Sequence, residues 1–146
     1  MNGSLPGSVL FSCTMNSVRS PMAEAILKHL MGHVIFVDSV GLRAREIDGF
    51  AVAVMEEIGI DLARHKAKTF DDLEDDSFDL VVTLSPEAQH RAIEMTRTVA
   101  CDVEYWRMMD PSLVEGGREE RLEAYRQLRD ELMRRIKERF PPGPKP

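Results

Sequence analysis

Short apolar runs alternate along this chain with longer stretches whose apolar residues recur every three or four positions, and few architectures accept that order. SVLFS (8–12), HVIFVDSVG (33–41), DLVVTLS (79–85) and the weaker CDVEYW (101–106) read as strands. PMAEAILKHLMG follows the first run, with Pro21 at a helix start and Gly32 at its stop. DGFAVAVMEEIG places Phe50, Val54 and Ile58 on one helical face and closes at Gly59. TFDDLEDDSF is an acidic segment with room for one helical turn, and SPEAQHRAIEMT opens with a cap-like Ser85 and Pro86 behind it. RMMDPSLVEGG reads as a loop before REERLEAYRQLRDELMRRIKERF, where Leu122, Tyr125, Leu128, Leu132, Ile136 and Phe140 form a single apolar stripe. Four strand and helix alternations predict an α/β fold: three α/β/α layers around a four-stranded parallel sheet, joined by right-handed crossovers. Ligands of such sheets bind beyond the carboxyl ends of the strands, and Cys13 stands at the carboxyl end of the first.

The chain's 146 residues suffice for one domain with a real core, expected over 8–140. The Gly- and Pro-rich ends, 1–7 and 141–146, read as flexible. A formal net charge of −6 argues against nucleic acid and anionic membrane as partners, since such contacts are dominated by Lys and Arg. It does not exclude an anionic substrate in a locally positive recess. Two cysteines make no disulfide framework, and the amino terminus lacks a basic segment followed by an apolar one. The cytoplasm is therefore the expected location.

The chemistry concentrates in CTMNSVRS, residues 13–20. A loop passing from strand to helix turns successive N–H groups inward and adds the positive end of the helix dipole, which makes a cradle for a tetrahedral oxyanion. The same field stabilises negative charge on a cysteine sulfur at its base, the requirement for a nucleophile. Arg19 supplies a planar fork able to grip two oxygens of the anion. Ser20 is placed to offer its hydroxyl to the Cys13 sulfur, and Asn16 suits a left-handed position in a tight turn that has no glycine. Attack on phosphorus also needs an acid for the leaving oxygen, and Asp110, stiffened by Pro111, is the candidate at the same edge of the sheet. Asp102 has no proline after it and is the poorer one.

With a cysteine, five residues, then Arg and Ser, and with Asp-Pro far downstream, the chain resembles the low-molecular-weight protein tyrosine phosphatase family. The resemblance extends through DSVG, GIDLARHKAKTF, FDLVVTLS and the carboxyl-terminal helix. It implies that Cys13 forms a phosphocysteine and that Thr14, Met15, Asn16, Ser17, Val18, Arg19 and Ser20 bind the phosphate. It further implies that Ser39 braces Asn16, and that Asp110 serves as general acid and then as base for water. No metal or organic cofactor is implied.

Two departures bear on the substrate. The loop position where family phosphatases commonly carry a second cysteine is Val18, and Ser112 and Leu113 follow Asp-Pro where phosphotyrosine-directed members place aromatics. Arsenate reductases share this fold and loop, but Ser85 stands where the first relay cysteine of the thioredoxin-coupled type is expected. The leading expectation is a phosphatase acting on a phosphorylated protein or a small phosphomonoester. An arsenate reductase drawing on an external small thiol is the alternative, and a non-catalytic oxyanion-binding module is a third reading. Cys101 reads as a core or strand-edge thiol. His29 and His33 flank a helix-ending glycine without a third ligand, so no metal site is expected. His65 and His90 read as packing or solvated histidines, and DDLEDD as a solvated run. Oligomeric state leaves no mark in the sequence.

Overall fold

A computed structural model describes residues 5–75 and 77–142, so most of the two predicted tails lies outside the described residues. Strands β1 (Ser8–Cys13), β2 (Phe36–Gly41), β3 (Leu80–Thr83) and β4 (Asp102–Tyr105) form one parallel sheet in the order β2-β1-β3-β4. Helices α1 (Arg19–Met31), α2 (Gly49–Glu56), α3 (Pro86–Met95) and α4 (Arg118–Arg139) alternate with them, in the predicted α/β order. Because β1 sends its crossover to one side for β2 and β3 lies on the other, the chain reverses its winding next to β1. The carboxyl end of β1 is thus the expected ligand position.

Alternation along β1 sorts its side chains between two cores. Val9, Phe11 and Cys13 face the larger one, shared with α1, α2 and α4, while Leu10 joins Val81, Ala92 and Phe70 on the α3 side. All six residues of the predicted α4 stripe are buried. At about 1.5–3 kcal/mol for each fully buried Leu, Ile or Phe, that stripe is what holds an otherwise charged helix on the sheet. Arg129 reinforces it by donating to the Val54 carbonyl and to Glu57, each at 2.8 Å. Arg126 and Arg129 together hold the Glu57 carboxyl down to about 2.

Local signals act as read, with small offsets. Ser85 caps α3 by accepting from Ala88 N–H, and Pro86 is its first residue. Pro21 falls in the third position of α1 because the helix already begins at Arg19; its missing N–H belongs to the first turn, where no intrahelical acceptor exists. Gly59 ends the α2 segment at a φ of +78°. The single turn expected in the acidic segment is a 3₁₀ turn, Phe70–Asp72. No described helix is long and apolar enough to cross a membrane.

Candidate active site

Between Cys13 and α1 the backbone makes a tight turn, and its carbonyls are drawn outward. Those of Cys13, Thr14, Met15 and Ser17 accept from the amides of Leu42, Arg43, Arg45 and Asp48, at 3.3, 3.0, 3.1 and 3.1 Å. With carbonyls engaged on the outside, the loop's own N–H groups are left to converge on its centre, beside the amino end of α1. The segment after β2 can lie this close because residue 41 is glycine. A Cβ there would stand 2.7 Å from the Asn16 nitrogen and 2.6 Å from the Arg43 carbonyl oxygen.

Asn16 has a φ of 53°, the left-handed geometry expected of it, and is fully buried. All four of its side-chain hydrogen-bonding positions are used. Nδ2 donates to Ser20 Oγ at 2.9 Å and to Ser39 Oγ at 3.0 Å, and Oδ1 accepts from the Lys68 amide at 2.9 Å and from His65 Nε2 at 3.0 Å. An amide oxygen only accepts, so the His65 proton sits on Nε2. Burial pushes the His65 imidazolium below its ordinary pKa, against the pull of Glu24. Ser39 donates to buried Glu24 at 2.5 Å, and Glu24 in turn takes the Lys28 ammonium. A continuous chain of hydrogen bonds therefore runs from Lys28 at the surface to Ser20, whose Oγ lies 2.9 Å from Cys13 Sγ. Since Ser20 Oγ accepts from Asn16, its own hydrogen is directed at the sulfur or at the Val40 carbonyl.

Cys13, Arg19 and Asp110 line one pocket of about 440 Å³ with Thr14, Glu87 and Leu113, and no aromatic residue lines it. Arg19 is fixed by donating to the Met108 carbonyl at 3.1 Å, and its second terminal nitrogen stands 4.0 Å from Asp110 Oδ2. The other carboxylate oxygen of Asp110 accepts from the amide and hydroxyl of Ser112, capping the 3₁₀ turn Pro111–Leu113. Cys13, Thr14, Met15, Ser17, Val18 and Arg19 of the loop share this pocket with Asp110, while Asn16 and Ser20 lie behind it. Ser39 stands behind Asn16.

The structure adds contacts that the sequence did not indicate. His65, read as a packing or solvated side chain, is bonded to the loop asparagine, whereas His90 is indeed solvent-exposed. Glu24, Lys68 and Gly41 carry support that the sequence reading did not assign. Ser85 reaches the loop by accepting from Thr14 Oγ1 at 3.1 Å. Cys101 lies away from this site: Asp102 is level with Leu80, and Leu80 with Val9, so Cys101 is at the amino edge of the sheet. It is separated from Cys13 by at least ~13 Å along the strands, whereas a disulfide requires Cα atoms within about 7 Å.

Relatives with this architecture carry names from two reaction classes. The chain is 35% identical over 130 residues to an arsenate reductase of Bacillus subtilis (strain 168), covering 89% of this chain and 92% of that one. Its fold is similar to that of an arsenate reductase in the oxidized state, with a TM-score of 0.75, 28% identity, and 91% and 95% of the two chains covered. It is also similar to the YwlE arginine phosphatase from Geobacillus stearothermophilus, with a TM-score of 0.71, 27% identity, and 90% and 88% covered. Residues 8–140 match the model of one family, and the chain belongs to it: the low molecular weight phosphotyrosine protein phosphatases.

Proposed function

We propose that the chain hydrolyses phosphomonoesters through a phosphocysteine on Cys13, residues 8–140 forming the catalytic unit. The Cys13 thiolate attacks phosphorus, the bond from phosphorus to the ester oxygen breaks, and Asp110 gives its proton to the departing oxygen. Water then attacks the phosphocysteine, Asp110 takes a proton from it, and the sulfur leaves as thiolate, steadied by the Ser20 hydroxyl. Arg19 and the amides of residues 14–19 hold the three non-bridging oxygens throughout. No metal or organic cofactor enters this scheme, and a thiolate nucleophile suits a reducing compartment such as the cytoplasm.

The observation that carries this reading is the 2.9 Å contact between Ser20 Oγ and Cys13 Sγ at the base of a loop whose carbonyls are turned away. A buried structural cysteine has no need of a hydroxyl beside its sulfur, nor of a carboxylate and a guanidinium across the pocket. Asp110 likewise speaks against a silent oxyanion-binding module.

The names of the relatives favour a second reading, reduction of arsenate. A relay of disulfides within the chain is disfavoured by Ser85 at the expected relay position and by Cys101 at the far edge of the sheet. In arsenate reduction the Cys13 thiolate would first bond to arsenic with loss of water; an external small thiol would then attack the Cys13 sulfur, break the sulfur–arsenic bond and release arsenite, the two electrons coming from the thiols as a mixed disulfide forms.

Release of nitrophenol from para-nitrophenyl phosphate, in the presence of chelator, tests the first reading. Turnover is expected, with a loss of at least ~10³-fold in Cys13→Ser at unchanged melting temperature. No turnover by the reduced protein, or full turnover by Cys13→Ser, rejects the mechanism. Arsenate-dependent oxidation of an added thiol would then decide for the alternative.

A further inference from the structure

Beside the catalytic pocket runs a second groove of about 620 Å³, between the turn before α2 and the start of α4. Arg45 and Asp48 line both, so the groove adjoins the catalytic pocket. Its walls carry three arginines, Arg45, Arg118 and Arg121, around Phe50. The guanidinium carbons of Arg118 and Arg121 lie 5.5 and 4.7 Å from the Phe50 ring centroid. Stacking on the ring restrains both planes while leaving their N–H edges able to donate.

Arg118 and Arg121 differ from most other arginines of α4, although Arg135, over the Trp106 ring, likewise has no ion pair among the described residues. Arg126, Arg129, Arg134 and Arg139 are each paired with a carboxylate. Arg45, Arg118 and Arg121 have no ion pair among the described residues. Arg118 and Arg121 also sit in the first turn of α4, where the helix dipole disfavours cations, so their placement costs the fold and an anion in the groove would offset that cost. The two acidic residues of the groove, Glu46 and Asp48, offset part of this charge and leave the lining net positive. Glu119 is engaged by Arg126, and Glu120 accepts from the Gly117 amide. Asp48 accepts from the Phe50 and Ala51 amides and from the Tyr125 hydroxyl, which leaves Glu46 as the remaining carboxylate of the groove. Across the catalytic pocket the wall is negative, with Glu87 at the Thr14 hydroxyl.

We propose that this groove binds acidic side chains flanking the phosphorylated residue of a phosphoprotein substrate; the proposal rests on the phosphatase reading. A locally positive groove on a chain of net charge −6 selects such a flank by complementarity, and the Glu87 wall repels it from the opposite side. Arsenate, a single small anion, would have no use for it.

Two phosphotyrosine peptides test the idea, one with three acidic residues beside the phosphotyrosine and one with Ser and Gly there. Para-nitrophenyl phosphate, which has no flank, serves as control. The native protein should favour the acidic peptide in kcat/KM by about 5- to 10-fold at low salt, an advantage that shrinks at high salt. Arg118→Ala/Arg121→Ala should lose that preference while its turnover of para-nitrophenyl phosphate stays within about twofold. Equal kcat/KM for the two peptides, or a preference that survives in the double variant, overturns the proposal. If neither the peptides nor para-nitrophenyl phosphate is hydrolysed, the phosphatase reading has failed separately. The groove is then judged by fluorescence anisotropy of the same peptides on Cys13→Ser: tighter acidic binding that depends on Arg118 and Arg121 supports it, and equal binding overturns it.

Discussion

The loop that presents Cys13 and the loop that presents Asp110 face the same pocket but are held by different means. Around Cys13 every side-chain hydrogen-bonding position of Asn16 is taken, and Asn16, Ser20 and Ser39 are fully buried. Around Asp110 the restraint is a cap of two hydrogen bonds from Ser112, one guanidinium at 4.0 Å and a single turn of 3₁₀ helix, with Met109 46% and Leu113 77% exposed. A cradle that must aim several N–H groups at one anion tolerates little displacement. A proton donor needs only to reach one oxygen, so its loop can stay loosely packed and differ from relative to relative.

The contrast can be broken most severely at Asp110. Asp110→Asn keeps the cap, because Asn caps as well as Asp, but removes the proposed proton donor. Turnover of an alkyl phosphate should fall by about 10²–10⁴-fold, turnover of para-nitrophenyl phosphate much less, and the melting temperature should hold. Equal losses on both substrates would mean that Asp110 is not the acid. Gly41→Ala attacks the tighter loop. Its methyl would press on the Asn16 nitrogen and the Arg43 carbonyl, which should cost about 1–3 kcal/mol of stability and about 10²-fold in turnover together. Thermal unfolding and kinetics on the same sample check this, and a variant as active as the native protein would show the segment after β2 to be dispensable.

The smallest effect expected is that of pH on the buried network. The folded-state pKa of His65 is lowered, so between that value and the unfolded value of about 6.5 the unfolded chain binds more protons. Stability from this residue is complete above about pH 6.5 and is lost as pH falls below it. His65→Gln retains an amide donor for Asn16 without titrating. A plot of melting temperature against pH should be flatter for the variant below about pH 6.5, by a few degrees; an unchanged slope would assign the acid sensitivity to other groups.

What could be read from the sequence was what is local. The strand and helix order follows from periodicity and from Ser85, Pro86 and Gly59 as punctuation. Within CTMNSVRS the left-handed Asn16 and the contact of Ser20 with the sulfur follow from the turn itself. The supports that went unread reach the loop from a distance. His65 bonds to Asn16 across 49 positions and Lys68 across 52; both lie in GIDLARHKAKTF, a stretch noted for its resemblance but whose spacing points to no partner. Gly41 was visible as a turn residue, but that its missing Cβ makes room for another loop's backbone is a property of packing alone. The groove at Phe50 joins residues from α4 and the 45–50 turn, which no linear pattern brings together.

The placement of Cys13 and Cys101 at opposite edges of the sheet also decides how the chain meets oxidants. A cysteine sulfur oxidised to sulfenic acid survives by condensing with a second thiol before further oxygen makes the damage permanent. Cys13 has no such thiol within reach inside its own fold, with Val18 in the loop and Ser85 at its margin. After a pulse of peroxide, recovery of activity should therefore track the concentration of small thiols in the surrounding solution, which makes the solvent the keeper of this site's working state.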